Sequence, residues 1–125
     1  VAATDSDFET RRILATLVPE LAKRPFAFSV LAFVGGEPAG LLNCFEGFST
    51  FAAKPLINIH DCCVAPAHRR KGISLKMLEH CEAVARARGC CKITLEVLED
   101  NEPAKASYSK FGMQKEYAWW QKKLP

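Results

Sequence analysis

The sequence predicts a mixed α/β fold: a central sheet that is mostly antiparallel, with one parallel β-α-β unit built into it. Two observations predict it. Residues 26–45 read as a hairpin, in which "FAFSVLAFV" and "LLNCFEGF" are β-forming runs joined by the turn-rich "GGEPAG". Residues 56–98 read as strand, helix, strand, and such a unit within one sheet is parallel and right-handed. The chain has 125 residues, 49% hydrophobic and 25% charged. That is the size and apolar content of one domain, expected to span residues 1–125.

The elements follow in order. "TDSDFETRRILATLVPELAKRP" is expected to be helical. Asp5, Ser6 or Asp7 caps it, and Phe8, Ile13, Leu14, Leu17 and Leu21 recur near helical spacing. Pro19 breaks or restarts it. The hairpin comes next, then "FSTFAAKP" as a loop. "LINIHDCCV", residues 56–64, is an apolar strand that Pro66 ends. From Ser74 to Arg88, the residues Met77, Leu78, Cys81, Val84 and Ala85 share one helical face, with Lys76, Glu79, Glu82 and Arg86 away from it. Gly89 suits the position after that helix. "CKITLEVLE" is a strand, and "DNEPAKASYSKF" a short helix with Asn101 as N-cap and Pro103 in its first turn. Gly112 ends it, and "YAWWQKKL" is a last strand. Between Gln114 and Lys123 no Gly, Pro, Asn or Asp is present to turn a hairpin. At the other end, Val1–Ala3 is a stub of a first strand and one clear helix precedes the hairpin, so segments are expected to be missing from the chain near residues 8–16 and 113–118.

Composition narrows the function. No apolar run approaches the roughly 18 residues that cross a bilayer. "VAATDSDFE" lacks the basic-then-apolar order of a secretory signal. The expected protein is soluble and cytoplasmic, with no membrane partner. The six cysteines, Cys44, Cys62, Cys63, Cys81, Cys90 and Cys91, contain no C-x-x-C spacing. They read as reduced, small hydrophobes, and no metal site is expected. A net charge of +3 does not compel a nucleic-acid partner. The basic residues have no interleaved aromatics, so none is expected.

The charge is concentrated at one turn. Between Cys62 and Leu78 there is no acidic residue, but there are Arg69, Arg70, Lys71 and Lys76. This stretch leaves a strand and opens a helix. A helix N-terminus carries unpaired N–H groups and partial positive charge, and Gly72 allows close approach of the backbone. The combination suits a phosphate or pyrophosphate. The phosphate-loop pattern G-x-x-x-x-G-K-[ST] and the dinucleotide pattern G-x-G-x-x-G are both absent.

"RRKGIS" resembles the R/Q-x-x-G-x-G/A signature of the GNAT family of N-acetyltransferases. "DCCVAPAHRRKGIS" is similar to that family's strand, V-x-P and turn. "NEPAKASYSKFGM" is similar to its N-x-x-A-x-x-x-Y-x-x-x-G-F segment, in the same order and at matching spacing. The resemblance covers residues 56–113 well and the rest loosely. Ser74 stands where the family usually has Gly or Ala, and Met113 where Phe is common.

The resemblance implies acetyl-coenzyme A as cosubstrate, without a metal. It implies that Cys62, Cys63 and Val64 offer backbone groups to the pantetheine arm. The pyrophosphate would be held by the N–H groups from Arg70 through Lys71, Gly72, Ile73 and Ser74 to Leu75, with Arg69 adding charge. Asn101 would hydrogen-bond near the pantetheine, and Ala104 shares the face of Tyr108 by i, i+4 spacing. Tyr108 would sit by the thioester sulfur as general acid; from the helix alone it reads equally as a packing residue. The implied reaction is direct attack of a primary amine on the thioester. His60 is a candidate base, and a buried, backbone-bonded histidine is the alternative reading. Asp61 is expected on the opposite face of its strand. Glu46 and Phe48 are substrate-binding candidates in a loop expected near the acceptor, with Phe45 and Phe51 as further walls.

Two functions follow: an N-acetyltransferase acting on a small-molecule or peptide amine, or a non-catalytic acyl-coenzyme A sensor on the same fold. Retention of Tyr108 and Asn101 favours the enzyme. A homodimer is expected only by analogy with the family.

Overall fold

The structure, a computed structural model, describes residues 16–125. The N-cap candidates Asp5, Ser6 and Asp7, and the apolar positions Phe8, Ile13 and Leu14, lie outside the described residues. Residues 16–22 are helical (α1), and Pro19 lies inside that run instead of ending it. Its fixed φ is itself compatible with a helix. There follow β1 (Ala27–Val34), β2 (Glu37–Ser49), β3 (Lys54–Val64), a 3-10 turn at Pro66–His68, α2 (Ile73–Ala87), β4 (Ile93–Leu95) and α3 (Glu102–Phe111).

The sheet order is β1-β2-β3-β4. The first two pairings are antiparallel, and β3 pairs with β4 in parallel, as the β-α-β reading requires. The β1–β2 turn is tighter than expected. Val34 pairs with Glu37, so only Gly35 and Gly36 bridge the strands, at φ +56° and +81°. A two-residue hairpin turn with positive φ at both centres is a glycine's turn. The expected loop at 48–55 shrinks to 50–53, because β2 and β3 stay paired from Phe48↔Pro55 to Ser49↔Lys54.

The core lies between the sheet and α2. Leu42 and Cys44 of β2, and Ile57 and Ile59 of β3, meet Met77, Leu78, Cys81 and Ala85 of α2, all nearly fully buried. Burying a Leu, Ile or Met side chain contributes about 1.5–3 kcal/mol, so this face fixes where α2 begins. Gly40 permits the close approach: a Cβ there would lie 2.8 Å from Met77 Cε and 3.3 Å from the Cys63 carbonyl.

Two features depart from expectation. Strand β4 contains three residues, not the full "CKITLEVLE", and its ladder runs only from Ile57↔Ile93 to Ile59↔Leu95. The last strand is not formed: residues 113–125 carry no helix or strand, and Tyr117, Trp119 and Trp120 are exposed. A strand needs a partner edge, and three residues of β4 offer little to pair with.

Candidate functional site

The basic turn is suspended between two buried anchors. His68 and Ile73 are buried, and the four residues between them, Arg69 to Gly72, are exposed. The start of the turn is fastened by backbone bonds, from Ala65 N–H to the Ala39 carbonyl (2.8 Å) and from His68 N–H to the Ala65 carbonyl (2.9 Å). Arg70 takes φ +63° and Gly72 φ +74°, so the chain twice enters the left-handed region before α2 opens. The Arg69 Nε–H donates to the Val64 carbonyl at 3.1 Å, which spends part of its guanidinium on the turn itself.

This turn fits a diphosphate. Helix α2 has no side-chain cap and no acidic residue in its first turn. Its first intrahelical bond is donated by Lys76 N–H to the Gly72 carbonyl, so Ile73, Ser74 and Leu75 are its leading amides. A Cβ on Gly72 would meet nothing within 4 Å, so the space before these amides is open. The helix start carries partial positive charge, and the exposed Arg70 and Lys71 stand immediately before it in the chain. Ser74, the departure from the family pattern, does not block it: its Oγ lies 3.4 Å from Ser107 Oγ on α3.

Beyond the last β3–β4 pair at Ile59↔Leu95, β3 runs on to Val64. Along this stretch Cys62 and Val64 pack toward the core, together with Tyr108 of α3. The Tyr108 phenol is within hydrogen-bonding reach of the Cys62 thiol. Burial, then that neighbouring thiol, pushes the phenol well above its ordinary range. Burial also pushes the Cys62 thiol up, opposed by the bond from Tyr108. Both groups therefore hold their protons at neutral pH. Asn101 caps α3, its Oδ1 accepting from Ala104 N–H at 3.3 Å. Ala104 is part-buried one turn before Tyr108.

A bulge in β3 changes the reading of His60 and Asp61. Asn43 pairs with Asp61 and Cys44 with Ile59, which leaves His60 as the extra residue. Strict alternation would send Asp61 to the face opposite His60; the bulge resets it. The His60 ring stands edge-on to Phe45, with centroids 5.7 Å apart. The Asp61 Oδ2 accepts from Asn43 Nδ2 at 3.0 Å. Asn43 and Phe45 are two apart on β2 and share a face, so His60 and Asp61 do too. His60 is exposed, which removes the buried, satisfied reading. Buried Asn43 also accepts from Ser29 Oγ at 2.7 Å, so three strands are tied by one polar chain. The sequence reading missed this chain, since only the bulged register reveals it. A cavity of about 440 Å3 opens on the same face, between α1 and β1–β2, lined by Leu17, Leu21, Leu31, Leu41 and Asn43 among others.

Glu46 and Phe48 are not brought to the turn. Both lie in β2, not in a loop. Glu46 accepts from Arg88 Nη1 at 3.1 Å, beyond the C-terminal end of α2, while the turn lies at its N-terminal end. Arg88 also stacks over the Phe28 ring, 4.7 Å from its centroid. Phe51 is fully exposed and walls nothing among the described residues. All six cysteines are thiols. No cluster of three or more His, Cys, Asp or Glu among the described residues could hold a metal, and no described helix is long and apolar enough to cross a membrane.

Comparison with known proteins bears on this geometry. The model of the Acetyltransferase (GNAT) family matches residues 3–113. The chain is 38% identical over 80 residues to a streptothricin acetyltransferase of Streptomyces lavendulae, a match covering 64% of the chain and 42% of that protein. It is 31% identical over 78 residues to a thialysine N-epsilon-acetyltransferase of Caenorhabditis elegans, covering 62% and 48%. The chain thus spans about half the length of the curated relatives it matches. Among solved structures, an aminoglycoside acetyltransferase from an uncultured soil metagenomic sample superposes with a TM-score of 0.76 at 27% identity, over 98% of this chain and 77% of that one.

Proposed function

From a chain that belongs to the acetyltransferase (GNAT) family, we propose an N-acetyltransferase that moves an acetyl group from acetyl-coenzyme A to a primary amine. Proteins of this family use acetyl-coenzyme A as cosubstrate. One observation carries the reading furthest: β3 ends beside a proton-bearing phenol, Tyr108 of α3, and the chain then runs through the basic turn into the uncapped N-terminus of α2.

Bound acetyl-coenzyme A supplies an activated thioester. The chain's residues divide the remaining work. The amides of Ile73, Ser74 and Leu75, with Arg70 and Lys71, hold the diphosphate. The segment Cys62 to Val64 aligns the pantetheine arm as a neighbouring strand would, and a backbone N–H there supports developing negative charge on oxygen. Asn101 fixes the start of α3 and so the azimuth of Tyr108. The phenol keeps its proton at neutral pH and gives it to the departing sulfur. His60 accepts the amine proton, directly or through water, with Asp61 beside it on the same face. The acceptor then approaches from the α1 side of the sheet. Fixing both reactants supplies much of the rate.

The names of the relatives, a thialysine N-epsilon-acetyltransferase among them, support an amine acceptor. The test is mass-spectrometric detection of acetylated product from acetyl-coenzyme A and a pooled amine panel, with Tyr108→Phe in parallel. Product that falls sharply in the variant supports the reading. Binding of the coenzyme without product from any amine points to a non-catalytic sensor, and no binding refutes the assignment of the turn.

A further inference from the structure

His68 is the one buried polar group at the turn that the proposed chemistry does not use. It ends the 3-10 turn at Pro66–His68 and immediately precedes the three basic residues. It is only 7% exposed, while Arg69 to Gly72 are all exposed. Its Nε2 lies 3.3 Å from Glu37 Oε1, at the first residue of β2. That is a polar contact distance, yet neither ring nitrogen has an aligned hydrogen-bond partner among the described residues. A buried imidazole without bonds is unfavourable, and an apolar side chain would pack there at lower cost. The residue type is therefore explained by the carboxylate it faces.

The position has a mechanical meaning. The segment of Arg70 to Gly72 contains two left-handed residues, and the conformation of Arg70 is one that a non-glycine residue holds only when its surroundings enforce it. Ile73 secures the far end by entering the core with α2. At the near end, the backbone bonds at Ala65 and His68 fix the chain before the basic residues begin. The His68 side chain is the last hold before the exposed stretch, and it ties that stretch to the β1–β2 hairpin.

We propose that His68 is a positioning residue for the diphosphate: facing the Glu37 carboxylate from beneath the turn, it holds the Arg69-to-Gly72 segment in the shape that receives the coenzyme. The proposal rests on the coenzyme reading of the turn. Neither His68 nor Glu37 touches the coenzyme or the reacting atoms, so loss of either loosens the binding loop without touching the chemistry.

The experiment measures the acetyl-coenzyme A dissociation constant by calorimetry, and KM and kcat by product mass spectrometry, for the wild type, His68→Phe, Glu37→Gln and the double variant. His68→Phe keeps a ring of similar shape and removes the polar contact. Glu37→Gln changes an exposed side chain and leaves folding intact should the histidine variant fold poorly. Each single variant is expected to weaken acetyl-coenzyme A binding about two- to fivefold, with the amine KM unchanged and kcat within about twofold. The double variant should be no weaker than the singles, because both remove one contact. Unchanged affinity in Glu37→Gln, fully additive effects, or a fall in kcat at constant KM overturns the proposal. A wild-type chain that does not bind acetyl-coenzyme A overturns the coenzyme reading, and this one with it. A wild type that binds, beside variants that bind equally well, overturns this one alone.

Discussion

The Tyr108 phenol of α3 lies within hydrogen-bonding reach of the Cys62 thiol of β3, and the two are half-buried against the same core. The phenol is thereby held at the strand segment where the reaction is proposed to occur, beside a sulfur. The leaving group of the proposed reaction is also a sulfur.

Burial and the neighbouring thiol raise the phenol's pKa, and this is directly measurable. The chain has two tyrosines, so a Tyr117→Phe variant leaves Tyr108 as the only phenol. In an ultraviolet titration of the folded variant, ionisation is expected above the ordinary value of about 10. A raised folded-state pKa means that the native chain holds this proton more tightly than the unfolded one. The associated stability is complete below the unfolded pKa and is lost as pH rises toward the folded one. Denaturant midpoints should therefore fall above about pH 10, and less so in Tyr108→Phe.

Tyr108→Phe should lower kcat by about 100-fold, within the range general acids contribute. KM for acetyl-coenzyme A should stay within about twofold, because the diphosphate contacts are elsewhere. Single-turnover kinetics with the best acceptor check this; equal losses in coenzyme affinity and kcat would instead make Tyr108 a packing residue.

His60→Gln is expected to cut kcat by about ten- to 100-fold. Asp61→Asn keeps an acceptor for Asn43 Nδ2, so it should fold normally and lose less activity. Comparing kcat for the two variants at a fixed pH decides which side chain receives the amine proton, since the bulge brings both to one face.

Gly40→Ala should destabilise the protein by about 1–3 kcal/mol, as overpacking does. The added methyl would meet Met77 Cε at 2.8 Å and the Cys63 carbonyl at 3.3 Å. Thermal melts test this.

The sequence made α2, α3 and the basic turn between β3 and α2 readable because each depends on local chemistry: a 3.6-residue apolar period, an Asn cap with a following Pro, a glycine after three basic residues. The tight hairpin was readable as to place but not length, since only pairing shows that Gly35 and Gly36 suffice. Asp61 was misplaced because a bulge adds a residue without altering composition; nothing in "LINIHDCCV" announces it. The strand expected at 117–124 failed for the opposite reason. Its composition is β-forming, but strand formation depends on a partner edge elsewhere in the fold. Glu46 was expected in a loop because nothing local shows that β2 runs on to Ser49 or that Glu46 meets Arg88, 42 residues away in sequence. His68 escaped notice because a histidine beside three cations reads as one more polar surface residue, and only its burial distinguishes it.

The three-residue ladder between β3 and β4 has a consequence for the life of the protein outside the catalytic cycle. Two parallel strands that stop pairing while one of them continues form a sheet that a guest can finish. The coenzyme would then act as a removable building block of the architecture. Anything that binds only the native form adds RT ln(1 + [L]/Kd) to its stability, about 2.7 kcal/mol at a hundredfold excess over Kd. Heat resistance and resistance to proteolysis should therefore rise with the concentration of the coenzyme.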